Sequence, residues 1–122
     1  DNLRKLKKNG HEIGGHGYNH LNAKEYTKTN GKSKYIALEI SPLIETLKNE
    51  GLPISSFAYP FGIYSQRDVE LAKQAGYRNA VTTKEGIDIA QPDFMQLQRI
   101  KISGKDSLFA VKCRLKLGQR GL

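Results

Sequence analysis

Apolar residues recur at near-helical spacing over 35–50, where Ile36, Leu38, Ile40, Leu43, Ile44 and Leu47 predict a helix. Pro42 lies inside that pattern and implies a kink, or a second helix that starts near Ser41, where Ser-Pro resembles an N-cap followed by proline. Gly51 ends it. Before it, residues 3–8 are helix-compatible and Asn9-Gly10 is a helix stop. His11 to Gly15 reads as a short strand opening into a glycine-rich turn, and residues 21–34 as a polar loop. Beyond it, Ser55 to Tyr59 is a strand candidate that Pro60-Phe61-Gly62 turns away. Ser65 is the expected N-cap of a helix over 66–75, with Gly76 behind it. Tyr77 to Thr82 and Leu97 to Ile102 read as strands, residues 84–93 as a loop, and Asp106 as the cap of a last helix over 107–117.

The alternation of helices and strands predicts a mostly parallel sheet wrapped by helices. In such folds ligands sit beyond the C-terminal ends of the strands. That rule selects two segments, 15–20 after the first strand and 60–65 after the second.

Composition narrows the class without naming a function. The chain has 122 residues, enough for one domain with a core. Hydrophobic residues at 38% and charged residues at 26% mark it as globular. No apolar run approaches the ~20 residues that cross a bilayer. Asp1 to Gly10 lacks the apolar core of a signal peptide, as the start of a mature or truncated secreted protein also would. The net charge of +8 suits an anionic partner, such as nucleic acid, an acidic glycan, a cell wall or a membrane surface. The basic residues are scattered, however. They fall at Arg4, Lys5, Lys7 and Lys8, at Lys24, Lys28, Lys32 and Lys34, and at Lys112, Arg114, Lys116 and Arg120. Solvated helix faces account for each group, and no nucleic-acid motif appears. The single cysteine, Cys113, reads as a small buried apolar residue on a helix.

The candidate chemistry lies in two short segments. All three histidines, His11, His16 and His20, fall within ten residues. Four-residue spacing lets His16 and His20 converge on one ion, and Gly14, Gly15 and Gly17 let the chain turn tightly there. Imidazole suits zinc, iron, cobalt or nickel. By spacing alone a polar loop with two surface histidines is the stronger reading; the place at a strand's C-terminal end makes metal binding its equal, and His11 reads as structural. The second segment, Phe57-Ala58-Tyr59-Pro60-Phe61-Gly62, is a rigid strand end with free backbone N–H groups of the kind that stabilise oxyanions, or a plain strand-to-turn transition.

Together, in this order, the segments are specific. Gly10-His11-Glu12-Ile13-Gly14-Gly15-His16-Gly17-Tyr18-Asn19-His20 resembles the second motif of the polysaccharide deacetylases, carbohydrate esterase family 4 with its NodB-type homology domain. Phe57 to Gly62 resembles the third motif, and Gly76 to Thr83, Gly86 and Leu97 to Ile102 resemble the closing part of the same domain. The resemblance implies an α/β fold, an incomplete, distorted (β/α) barrel. It implies a metal-dependent hydrolase that removes N-acetyl groups from a polysaccharide, an N-acetylglucosamine polymer or peptidoglycan. His16 and His20 become metal ligands, for Zn2+ first and Co2+, Ni2+ or Fe2+ otherwise, and the Phe61 backbone N–H an oxyanion donor. The partner is then a glycan rather than nucleic acid, with association to a cell wall or membrane surface and an extracytoplasmic location.

The chain also departs from that pattern. The first motif, Thr-Phe-Asp-Asp-Gly, which carries the third ligand and the base, is absent, and no adjacent Asp-Asp pair occurs. Residues 1–122 are therefore expected to be a single partial domain lacking its N-terminal strands, and inactive alone. Ala58 stands where many members have arginine, as in a subgroup that includes exopolysaccharide deacetylases. No histidine follows His20, so the acid is unassigned, and nothing selects Asp88 or Asp93. The alternative is a glycan-binding pseudoenzyme without catalysis. An incomplete barrel would also expose apolar edges and faces, so the isolated chain is expected to be marginally stable or to self-associate.

Overall fold

The computed structural model describes all residues except 1, 23–24, 27, 29–37, 88–89, 91 and 119–122. The first helix, α1 (Asn2–Lys8), ends at Asn9 and Gly10, whose φ is +86°. It buries none of its residues, and Arg4 ties it to Glu50 through an exposed ion pair of 2.8 Å. Exposed pairs of this kind contribute about 0–1 kcal/mol.

The expected strand over His11–Gly15 is reduced to a single bridge, Gly15 with Phe57, in parallel orientation. Gly15 N donates to Ser56 O at 2.8 Å and Ala58 N donates to Gly15 O at 2.8 Å. Glycine weakens a strand interior, and Gly14 and Gly15 supply no side chains to extend this one.

Leu38 and Glu39 are helical, Ile40 breaks the run, and α2 (Ser41–Asn49) follows. Pro42 has no N–H to give the Leu38 carbonyl, which interrupts a continuous helix at this point. Ser41 lies within the first turn of α2, and Ile40 takes the capping position without a side-chain bond. Residues 35–37, the start of the expected helix, lie outside the described residues, as do Lys24, Lys32, Lys34, Asp88 and Arg120.

The chain continues through β1 (Ser56–Ala58), a tight turn (Pro60–Gly62), α3 (Gln66–Ala75), β2 (Asn79–Glu85), β3 (Leu97–Arg99) and α4 (Leu108–Leu117). The sheet order is β1-β2-β3 with both pairings parallel. The segment at Gly15 adds to the free side of β1, so the parallel segments follow one another in chain order. A closed barrel is not formed among the described residues.

Several element ends differ from expectation. β1 spans Ser56–Ala58 rather than Ser55–Tyr59, and β2 runs on to Glu85, past the expected end at Thr82 and into the expected loop over 84–93. At three further ends a residue is engaged elsewhere. β2 starts at Asn79 rather than Tyr77, since Tyr77 N still donates to Ala72 O and closes α3 behind Gly76. β3 stops at Arg99 rather than Ile102, and Lys101 O accepts from Arg114 at 2.8 Å instead of a strand neighbour. Ser107, not Asp106, caps α4 by accepting from Ala110 N at 3.2 Å. Asp106 faces Arg114 with both carboxylate oxygens, and Arg114 is buried rather than on a solvated face.

The core lies between the sheet and α2 and α3, from Ile40, Ile54, Phe57, Tyr59, Val69, Ala72, Tyr77, Ala80 and Met95. The Tyr59 hydroxyl donates to Met95 O at 3.0 Å, and Tyr77 OH to Ile40 O at 3.4 Å. Burial pushes both phenols up, Tyr77 to about 12. Cys113 is half-buried on α4, whose outer side leaves Leu108 and Phe109 exposed.

Candidate functional site

His16 and His20 meet at the C-terminal end of the Gly15–β1 pairing, the end the strand rule selects. His16 Nδ1 lies 2.9 Å from Ala58 O. A carbonyl can only accept, so Nδ1 carries the hydrogen and Nε2 keeps a lone pair. His16 Nε2 is 3.0 Å from His20 Nε2, and the ring centroids are 4.7 Å apart. Two nitrogens on one tetrahedral zinc lie roughly 3.3 Å apart, from Zn–N bonds of ~2.0–2.1 Å, so the pair fits two ligand positions after a shift of a few tenths of an ångström. The carbonyl behind His16 is the usual outer partner of a ligating imidazole. A third ligand is not supplied: among the described residues no group of three His, Cys, Asp or Glu side chains could hold an ion.

Phe61 closes the other side. Its ring centroid is 4.9 Å from that of His20, and 53% of the residue is exposed. Gly62 N donates to Tyr59 O and Ile63 N to Pro60 O, while the Phe61 N–H has no acceptor among the described residues. Among the described residues, Phe61 and His20 are the non-glycine residues with positive φ, 57° and 55°. Left-handed backbone in such residues costs on the order of 1–3 kcal/mol and persists where neighbours enforce it.

What enforces it at His20 is Glu39, a residue that the sequence reading did not select. Glu39 has 0% exposure. Its Oε1 accepts from Asn19 N and Asn19 Nδ2, both at 3.0 Å, and its Oε2 from Asn19 N at 3.1 Å and Leu21 N at 3.4 Å. Its backbone carbonyl accepts from Tyr18 N at 3.2 Å. Hydrogen bonds to a charged group contribute about 1.5–3 kcal/mol each, so two of them suffice to offset the strain at His20. Gly17, with φ +90°, makes room: a Cβ there would stand 2.6 Å from Glu39 Oε2. The missed signal was in the pattern, since Glu39 occupies the apolar phase of the 36–47 periodicity beside Ile40.

The remaining candidates separate from this centre. His11 is exposed and lines a polar depression with Lys7, Glu12 and Arg78, at the opposite, N-terminal ends of the strands. Asp93 builds the turn before β3. The Gln96 side-chain amide and the Met95 N–H hold its carboxyl below the ordinary range. A cleft of about 440 Å3 lies along the C-terminal part of β2 and the end of β3, lined by Thr83, Arg99, Ile100, Lys101 and Ile102. No helix among the described residues is long and apolar enough to cross a membrane.

Residues 1–80, which include both histidines and Phe61, match the family model described as polysaccharide deacetylase. No curated protein matches the chain. Among solved structures, the Streptococcus pyogenes deacetylase PplD, in complex with acetate, is similar with a TM-score of 0.77 and 23% identity, over 96% of this chain and 49% of that one. The Bacillus anthracis protein BA0330, assigned as a polysaccharide deacetylase, is similar with a TM-score of 0.71 and 22% identity, over 96% of this chain and 35% of that one. At these identities the likeness is one of fold. The chain spans about half the length of the first and about a third of the second.

Proposed function

Because this chain belongs to the polysaccharide deacetylase family, we propose that it is the histidine-bearing part of a metal-dependent hydrolase that removes N-acetyl groups from an N-acetylglucosamine polymer or peptidoglycan. The observation that carries this reading is the facing pair of imidazole nitrogens, 3.0 Å apart, with His16 oriented by Ala58 O. His16 and His20 would hold the ion, Zn2+ first and Co2+, Ni2+ or Fe2+ otherwise. When bound, a divalent ion supplies a Lewis acid and a water acidic enough to attack an amide.

The chain's own groups do the rest of what this segment can do. His16, donating through Nδ1, presents Nε2 without competing for a proton there. The Phe61 N–H is free to donate to the acetamide oxygen as negative charge develops on it. Water adds to the acetyl carbon, the C–N bond breaks, and acetate and a glycan amine leave. The base that takes the water's proton, and the third ligand, lie outside the described residues on this reading. The parallel segments then form part of the wall of a distorted (β/α) barrel, and the cleft at Thr83 to Ile102 adjoins the glycan path. An extracytoplasmic location, at a cell wall or membrane surface, belongs to the same proposal.

The test compares residues 1–122 with the parent protein on N-acetylated glycan, scoring acetate release. The parent should be active, and His16→Ala or His20→Ala should reduce its rate by at least about a hundredfold, at or beyond the upper end of the roughly tenfold to hundredfold loss for an outer partner of a metal ligand. The isolated chain should release little or no acetate. Wild-type rates in both variants would remove the metal assignment. A parent that is inactive but binds glycan would favour the pseudoenzyme, consistent with the missing third ligand among the described residues.

A further inference from the structure

The two histidines are held by unrelated means. His16 needs only the β1 carbonyl at Ala58, a group fixed by the sheet. His20 has no such anchor: its Nε2 meets His16, and its ring leans on Phe61. The backbone amides on either side of it, Asn19 N and Leu21 N, both donate to the Glu39 carboxylate. No lysine, arginine or histidine pairs with that carboxylate among the described residues. A fully buried carboxylate needs hydrogen-bond donors, and among the described residues all of them come from the histidine loop. The loop and the carboxylate therefore hold each other.

The geometry points to Glu39 as the positioning residue that brings His20 against His16. This inference rests on the metal reading above. Glu39 does not touch the ion position or a substrate: it acts through the loop, by fixing the left-handed turn at His20 from both sides. An amide in place of the carboxylate would turn an NH2 toward N–H donors, so Glu39→Gln removes acceptors while keeping the shape.

The experiment is a Zn2+ titration of residues 1–122, followed on the imidazole resonances of His16 and His20. In the wild type both rings should respond together with one apparent Kd. In Glu39→Gln the affinity should fall about tenfold to hundredfold, as for other outer partners of metal ligands, and the two rings should part company. His16, still held by Ala58 O, should continue to respond while His20 lags. A general loss of folding would instead weaken both rings equally. Coincident responses at wild-type affinity in Glu39→Gln would overturn the inference. His16→Ala and His20→Ala serve as controls, because a Zn2+ response that survives both sinks the metal reading itself. If Glu39→Gln fails to fold, Asn19→Ala decides. It deletes only the Nδ2 bond to Oε1, and should weaken Zn2+ uptake severalfold. An unchanged Kd there overturns the inference as well.

Discussion

His20 and Phe61 face each other across the site, share a left-handed backbone, and are supported in opposite ways. The loop through His20 is held by polar bonds to one buried carboxylate. The turn through Phe61 is held by apolar packing. Pro60 is buried beneath it, Tyr59 is in the core, and Tyr64 stacks on Tyr59 with centroids 4.5 Å apart. A polar clamp depends on direction and charge, so it fails when a single acceptor or a little space is lost. An apolar seat depends on volume and tolerates changes that preserve it. Substitutions in the two regions should therefore separate stability from site geometry.

The largest effect should come from Gly62→Ala. The φ there is +67°, and a Cβ would stand 1.9 Å from Thr83 Oγ1 and 2.7 Å from Thr83 Cβ, so side-chain rotation alone cannot relieve it. The cost should be about 2–5 kcal/mol, from left-handed backbone and overpacking together, read as a lowered Tm. Zn2+ uptake by the fraction still folded should change little, because the histidines are held elsewhere. Gly17→Ala should reverse this pattern. The backbone term is about 1–2 kcal/mol, and the new methyl displaces Glu39 Oε2, which stands 2.6 Å from its position. Its Tm should fall less than that of Gly62→Ala, while the His20 response to Zn2+ falls more. Equal ratios of the two losses in both variants would erase the distinction between the regions.

The same contrast explains what was legible in the sequence. The seat of Phe61 could be read from local signals: an apolar strand end, then proline and glycine at fixed positions, then Ser65 opening α3 and Gly76 closing it. The spacing of His16 and His20 beside glycines left open whether they converge or lie on a polar loop, and the structure brings their Nε2 atoms to 3.0 Å. For Glu39 the pattern showed only a place in the apolar phase of the helix, because its partners lie 18 to 20 residues away in sequence and periodicity records only local order. Asp106 was misread for a related reason. It has the composition of a cap, yet the guanidinium of Arg114, farther along the helix it precedes, offers it a better partner, and Ser107 takes the cap. The strand at His11–Gly15 was over-read, since apolar character at Ile13 cannot make a ladder out of glycines. Leu3 and Leu6 on α1 and Leu108 and Phe109 on α4 are exposed.

Tyr77 lies against Gly15 and Phe57, beside the histidine segment, and its effect should be smaller and dependent on pH. Its hydroxyl donates to Ile40 O, next to Glu39, and a Cβ on Gly15 would stand 2.9 Å from it. Burial raises its pKa from 10.0 to about 12, so the folded state favours the neutral phenol. The resulting stability is fully present below pH 10 and is lost as pH rises from 10 to about 12. Tyr77→Phe should cost about 0.5–1.5 kcal/mol near neutrality, for one hydrogen bond, and should flatten the fall in stability across that alkaline window. Denaturant melts at a series of pH values measure both. An unchanged alkaline slope in the variant would assign the fall to other groups, Tyr59 first among them.

Phe61→Gly should have the smallest effect, and it sharpens the comparison most. Glycine keeps the unpartnered N–H that the proposed chemistry uses and removes the strain of φ 57°. Relief of about 1 kcal/mol should nearly cancel the packing lost with a ring that is already 53% exposed, leaving Tm within a few degrees of the wild type. On the proposed function, the deacetylation rate should fall less than about tenfold, since only the contact of the ring with His20 is lost. The equivalent exchange at His20 deletes the imidazole and should abolish activity. If Phe61→Gly also abolished activity while Tm and the Zn2+ response stayed at wild-type values, the side chain rather than the backbone N–H would be what the site needs from Phe61. The apolar turn would then contribute a substrate contact, and not only a scaffold for a backbone donor.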